Sequence, residues 1–187
     1  MKKGVVMNNS KNRGFTLLET LIAFFVLTIG LLGAVALQAK AKQASYDSLQ
    51  RTAALALAQD IIQRIRVNDT AALVALYDVD FTSTDEITTV QSCVDSFCTS
   101  AQVAAYDIIQ WKKAIKAKEL TGAMANASVC INPVLSAGVS GVDVEVVISW
   151  GGRQDIAQNI ENTAIECGSS TENRRVVVVN SFIFIRA

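Results

Sequence analysis

Gly14-Phe15-Thr16-Leu17-Leu18-Glu19, running straight into the uncharged residues 20–39, is the stretch of this 187-residue chain whose reading decides the rest. As a helix, residues 20–39 rise about 30 Å, the thickness of a bilayer's hydrocarbon core. Glu19 is an acid inside the start of that apolar run, where a carboxylate costs several kcal/mol unless it is neutralised or paired. Its presence asks for a partner. Ahead of it, Lys2, Lys3, Lys11 and Arg13 form a basic leader. An ordinary secretory signal would use those bases and cut near Ala34-Val35-Ala36, but such a signal has an apolar region of roughly 7 to 15 residues. The run here is longer and opens on an acid, directly after a basic-Gly-Phe junction. A plain signal-anchor helix, with Glu19 reaching toward the lipid head groups, is the other simple reading.

The same residues resemble the class III signal of type IV pilins and pseudopilins, in which a prepilin peptidase cuts after a Gly and the new N-terminal Phe is methylated. The resemblance implies cleavage between Gly14 and Phe15 and N-methylation of Phe15. It also implies an order of parts: residues 1–14 as leader, 15–39 as transmembrane and filament-core helix, and 40–187 as a periplasmic pilin head. The leader's bases hold the N-terminus in the cytoplasm by the positive-inside rule. The expected location is thus the inner membrane, single pass with the head in the periplasm, and later the pilus. In a helical stack of subunits, Glu19 of one chain can meet the Phe15 amine of its neighbour, turning two costly charges into a pair that specifies register.

Composition bounds the remainder. The part beyond the leader is long enough for one domain with a real core. It carries thirteen bases against seventeen acids, a net of −4, which argues against a general binder of nucleic acid or anionic membranes. The chain has no histidine, and its four cysteines, Cys93, Cys98, Cys130 and Cys167, all lie in the exported part. An even count in an oxidising compartment favours disulfides. A zinc site is the alternative, but the cysteines lack the paired Cys-x2-Cys knuckles that structural zinc uses. Three pairings are open; the one expected joins Cys93 to Cys98 in a tight loop and Cys130 to Cys167 between a strand and the polar loop after it.

The helix need not stop at residue 39. No Gly or Pro interrupts residues 40–68, and Tyr46, Leu49, Ala53, Leu57, Ile61 and Ile65 recur at helical spacing, predicting one helix from Phe15 to Asn68. Gly30 and Gly33 are its soft points, either close-packing positions or places that unwind on assembly. Residues 69–92 read as a connecting loop with a short helical turn at 71–76. Thr99 and Gln102 make a capping box for a helix to Leu120, with Ala104, Ile108, Trp111 and Ile115 inward and Lys112, Lys113, Lys116 and Lys118 on the other side. Residues 128–135, 142–150 and 174–185 read as strands, and residues 159–173 as a polar loop holding Cys167. Alternation in the second strand sends Val142, Val144, Val146, Ile148 and Trp150 one way and Asp143, Glu145 and Ser149 the other, the mark of a sheet with one covered face.

The expected fold class is α+β: a type IV pilin fold, with a long N-terminal helix packed on an antiparallel β-meander head carrying one further helix. A close cysteine pair, then Asp107-x-x-x-Trp111, then Ser149-Trp150-Gly151, is similar to the PilV group of minor pilins, the type IV pilus modification proteins. Major pilins usually carry a Pro in the membrane half of the helix, whereas the single Pro here is Pro133. By resemblance the partners are other minor and major pilins, the prepilin peptidase, the inner-membrane assembly platform and a PilY-type tip adhesin. No catalytic residue, cofactor or metal is expected: there is no histidine base, and Asp143 and Glu145 read as solvated surface. Two alternatives share the N-terminus. A minor pseudopilin of a type II secretion system is opposed by the longer head and the cysteines. A DNA-binding pilin of a competence system would use the lysine cluster with Trp111 stacking on a base, but Trp111 falls on the apolar stripe and the body is acidic.

Overall fold

The computed structural model describes residues 14–155 and 164–186. Its elements are helix α1 (Leu17–Val67), a short helix α2 (Leu73–Tyr77), strand β1 (Val79–Thr82), helix α3 (Ser100–Leu120), and strands β2 (Ala125–Leu135), β3 (Gly141–Gly151) and β4 (Arg174–Phe184). The chain divides into two compact units, Met1–Ser45 and Tyr46–Ala187.

Within the first unit α1 is uncharged and exposed over residues 20–39, and the helix is long and apolar enough to cross a membrane. It passes through Gly30 and Gly33 without a break, and a Cβ added at either would meet nothing within 4 Å. Packing inside this chain therefore does not require those glycines.

The second unit is built on an antiparallel sheet in the order β1-β2-β3-β4. Here α1 buries Gln50, Ala54, Leu57, Ala58, Ile61, Ile62 and Ile65. This corrects the predicted stripe, since Tyr46 and Leu49 stand 47% and 64% exposed. The row in contact is shifted toward small residues: Ala54 and Ala58 are fully buried, which lets the helix backbone lie close to its neighbours. Gln50 enters the core because its Oε1 accepts a hydrogen bond from Trp150 Nε1 at 3.3 Å. Tyr46 instead supports the Arg153 guanidinium over its ring, 4.4 Å from the centroid.

Two further corrections concern the connection after α1. The helical turn falls at Leu73–Tyr77, and the supposed loop contains β1, whose residues 79–82 pair with 131–128 of β2. Four residues are too few for a period to stand out, and Phe81 alone is buried among them. Strand β2 also begins earlier than read, through a register shift between Ala125 and Ser128 with Asn126 at φ +48°. In α3 the capping box is present in full, and the buried residues are Ala104, Asp107, Ile109, Trp111 and Ile115, with Ile108 only half-buried.

The sheet is not covered on one face only. Val147 and Ser149 point away from the main core yet are buried, because Cys130, Cys167, Ile165 and Val176 form a second, smaller cluster over that end of the outer face. Farther along the same face, Asp143 is exposed and Glu145 half-buried.

Candidate functional site: the start of α1 and the braced head

Phe15 is exposed and lies just before α1, four residues ahead of Glu19, which sits in the first turn. The local cause of the helix start is Thr16. Its hydroxyl accepts from the Glu19 amide at 3.3 Å, and its carbonyl from the amides of Glu19 and Thr20 at 3.1 and 3.3 Å. Thr16-x-x-Glu19 is thus also a capping signal, present in the sequence and unused in reading it. A carboxylate in the first turn faces the positive end of the helix dipole, a second reason for an acid here. Gly14 is exposed, and a Cβ there would meet nothing within 4 Å; the rest of the leader, residues 1–13, lies outside the described residues.

In the head, Cys93 joins Cys98, and Cys130 joins Cys167. The first disulfide closes a surface loop whose last cysteine immediately precedes the N-cap Thr99 of α3. Gln102 Nε2 donates to Gln91 Oε1 at 3.0 Å, tying the loop's approach to the first turn of that helix. The loop presents Val94 and Phe97 to solvent.

The second disulfide is buried. The Cys167 carbonyl accepts from Ser149 Oγ and from Arg174 Nη2, both at 2.7 Å, and Arg174 Nη2 also donates to the Ile165 carbonyl at 2.8 Å. Burial lowers the guanidinium pKa of Arg174. Gly168 follows with φ +72°, and a Cβ there would stand 2.5 Å from Ser128 Oγ and 2.7 Å from Ser149 Oγ, so the chain needs glycine at this approach.

A polar clip holds α3 to α1. Asp60 and Arg64 lie one turn apart on α1, and Asp107 and Trp111 one turn apart on α3. Trp111 Nε1 donates to Asp60 Oδ2 at 3.0 Å, and Arg64 Nη1 reaches Asp107 Oδ1 at 3.1 Å. Tyr77 Oη donates to Asp107 Oδ2 at 3.1 Å, and Asn68 Nδ2 donates to both Tyr77 Oη and the Ser100 carbonyl. Burial raises the Asp107 carboxyl above the ordinary range, against hydrogen bonds from Arg64 and Tyr77. Burial likewise pushes the Tyr77 phenol well up. The Asp107-x-x-x-Trp111 spacing carries this arrangement in the sequence, although only its family resemblance is legible there. A signal for the chemistry did exist, in polar residues set a turn apart along the apolar stripe of each helix.

The lysine cluster is not one free face. Lys112 Nζ pairs with Asp85 Oδ2 at 3.0 Å and lies 6.0 Å from the Phe81 ring centroid; Lys116 and Lys118 are half-buried, and Lys113 is exposed. On β3, Asp143 accepts from the Ser136 hydroxyl.

One apolar helix with an acid in its first turn, joined in sequence to an antiparallel meander head, defines an α+β protein of pilin architecture. Two family models agree. The prokaryotic N-terminal methylation motif matches residues 9–35, and type IV pilin Tt1218 matches residues 36–109, so that together they span all of α1, α2 and β1 and the first half of α3. The chain is a type IV pilin-like protein. No curated protein and no solved structure matches it. Type IV pilins are structural proteins, and likeness to them implies interaction with other pilins and with assembly machinery in general. The methylation motif and the apolar helix fit anchoring in a membrane before assembly.

Proposed function

We propose that this chain is a minor pilin that helps to prime a type IV pilus and stays at or near its tip, acting by packing against other subunits and not by catalysis. The observation that carries the reading is the unbroken helix from Leu17 to Val67 with Glu19 in its first turn, four residues from Phe15. In an apolar stack, the amine of one subunit and the Glu19 carboxylate of the next become a buried pair, which fixes register more than it stabilises. Prepilin peptidase cuts between Gly14 and Phe15 on this reading, and Phe15 is then methylated. The head lies in the periplasm until assembly. Its partners are other minor and major pilins, the inner-membrane assembly platform and a PilY-type tip adhesin.

The pairing of Lys112 with Asp85 weighs against the DNA-binding alternative, because it occupies one member of the only lysine cluster on the described head. N-terminal mass spectrometry of the protein from a peptidase-positive host tests the reading. A mature end at methylated Phe15 is expected, whereas an end at Leu37 or beyond would return the chain to the ordinary secretory class.

A further inference from the structure

Ile165 and Cys167 cover one end of the sheet's outer face. Beyond them the described residues leave a groove of about 550 Å3, lined by Asn132, Val134, Asp143, Glu145, Asn180 and Phe182. Its apolar wall is held in place: a Cβ on Gly141 would collide with the Phe182 ring, so that ring lies across β3, and Phe184 packs edge-on against it, 4.8 Å between centroids. Val134 and Phe184 are exposed beside it. The floor is acidic. Asp143 accepts from the Ser136 hydroxyl and Glu145 Oε1 from Asn132 Nδ2 at 3.5 Å, and among the described residues neither carboxylate pairs with a cation. Asp80 of β1, opposite Cys130, adds a third acid to the same face. The bases of the bordering strands act elsewhere. Arg174 lies at the covered end, where it donates to the Ile165 and Cys167 carbonyls, with Glu172 beyond it in the chain. Arg175 and Arg186 pair with Asp47 and Asp69, and Arg66 reaches Ser181 on the inner side, opposite the buried Val144.

The same head carries a complement to this groove. On α3, Lys113, Lys116, Ala117 and Leu120 stand at i, i+3, i+4 and i+7 and so share one face. Lys113, Ala117 and Leu120 are exposed and Lys116 half-buried, and among the described residues neither lysine pairs with an acid. Glu119 borders Lys116 from the side, and Lys112, farther round the helix, is already paired with Asp85. Lysines three residues apart on a helix have Cβ atoms about 5–6 Å apart, and acids two residues apart on a strand are separated by about 7 Å. Lys113 and Lys116 of one molecule can therefore each meet one of Asp143 and Glu145 on another, with Leu120 laid against Phe182 and Val134. The bases of α1 in the head offer no such pair, since Arg64 and Arg66 are engaged and Arg51 stands singly.

We propose that the Lys113, Lys116 and Leu120 face of α3 on one copy of this chain docks into the Asp143, Glu145 and Phe182 groove on a second copy. The two surfaces are unlike, so the contact is head-to-tail. Opposite charges fix its register, and the apolar contact between Leu120 and the groove wall supplies area.

Two variants of the full chain in detergent micelles test this. Asp143→Lys with Glu145→Lys reverses the groove, and Lys113→Glu with Lys116→Glu reverses the helix face. The parent should self-associate in sedimentation, and each variant alone should do so at least about tenfold more weakly, because like charges then meet. An equal mixture of the two variants should recover the association, since each reversed surface finds its opposite on the other chain. On the parent itself, a zero-length carbodiimide added to a mixture of light and heavy-isotope chains should join the Asp143 and Glu145 peptide of one label to the Lys113 and Lys116 peptide of the other. The inference is overturned if the variants associate as the parent does, which contact through α1 alone would cause, or if their mixture recovers nothing. It is overturned equally if no such crosslink forms, or if crosslinks join peptides of like label alone, a result read on the parent whether or not a variant folds. None of these outcomes depends on processing at Gly14, so this proposal and the pilus reading stand or fall separately.

Discussion

Replacing Cys130 and Cys167 together by alanine removes a link between residues 37 apart in sequence, whereas the Cys93–Cys98 link spans a separation of 5. On chain entropy alone the longer closure is worth about 4 kcal/mol and the shorter about 2 kcal/mol. The environments widen that gap. Cys130 and Cys167 are buried with Val147 against the outer face of β3, and the Cys167 backbone anchors Ser149 and Arg174, so its release also loosens two buried polar groups. The Cys93–Cys98 loop covers little, and its apolar residues Val94 and Phe97 are already exposed. Denaturant unfolding of the full chain in detergent, followed by the fluorescence of the buried Trp111 and Trp150, measures both. The Cys130→Ala/Cys167→Ala variant should lose at least about 2 kcal/mol more than Cys93→Ala/Cys98→Ala, or about 8 °C in Tm for a head of this size. Equal losses in the two variants would refute the account of the outer-face cluster as a braced second core.

Gly168→Ala forces a side chain into the left-handed region and against two serine hydroxyls, and should destabilise the head by about 1–3 kcal/mol in the same unfolding assay. Asp107→Ala leaves the buried Tyr77 hydroxyl without its acceptor and removes the ion pair to Arg64, which is itself partly exposed, so a loss of about 1–3 kcal/mol is expected. Asp85 is held below the usual carboxylate range, foremost by the Thr82 hydroxyl and then by Lys112. Its contribution to stability is present above the unfolded-state pKa and lost as pH falls through the lower folded value; melts across the acid range should show a shallower acid limb in Asp85→Asn than in the parent. Asp107, raised by burial, has the opposite sign, its contribution fading as pH rises through the folded value.

The long helix, α3 with its cap, and the three long strands were legible because each repeats its period over many residues. Phase and short elements were not. The buried row of α1 follows Gln50, Ala54 and Ala58, and a pattern of large apolar residues points to Tyr46 and Leu49 instead, since nothing local reveals that Trp150 waits with an indole N–H for Gln50. Strand β1 is visible only through its partner residues 128–131, far away in sequence. The outer-face cluster depends on the 164–170 segment folding back over β3, so Val147 and Ser149 look like surface positions until Cys167 is placed. At the N-terminus the reverse holds. Phe15, Glu19 and the apolar run act through their order along one helix, and order is what a sequence displays; Thr16 as cap is the one contribution there that went unread.

The pairing of Glu19 with the amine of a neighbouring subunit is the central claim, and the Glu19→Ala variant tests it most directly. Removing the carboxylate takes a costly charge out of the apolar helix, so insertion, processing at Gly14 and the fold of the head should be untouched or slightly improved. Incorporation should fail, because the neighbour's Phe15 amine is left without its counter-charge and the stack without its register cue. The measurement is the amount of processed chain in sheared pili against the amount in the inner membrane. The account predicts that the variant accumulates, processed, in the membrane while its share in pili and the number of pili fall; recovery in pili at the wild-type level with normal piliation would contradict it.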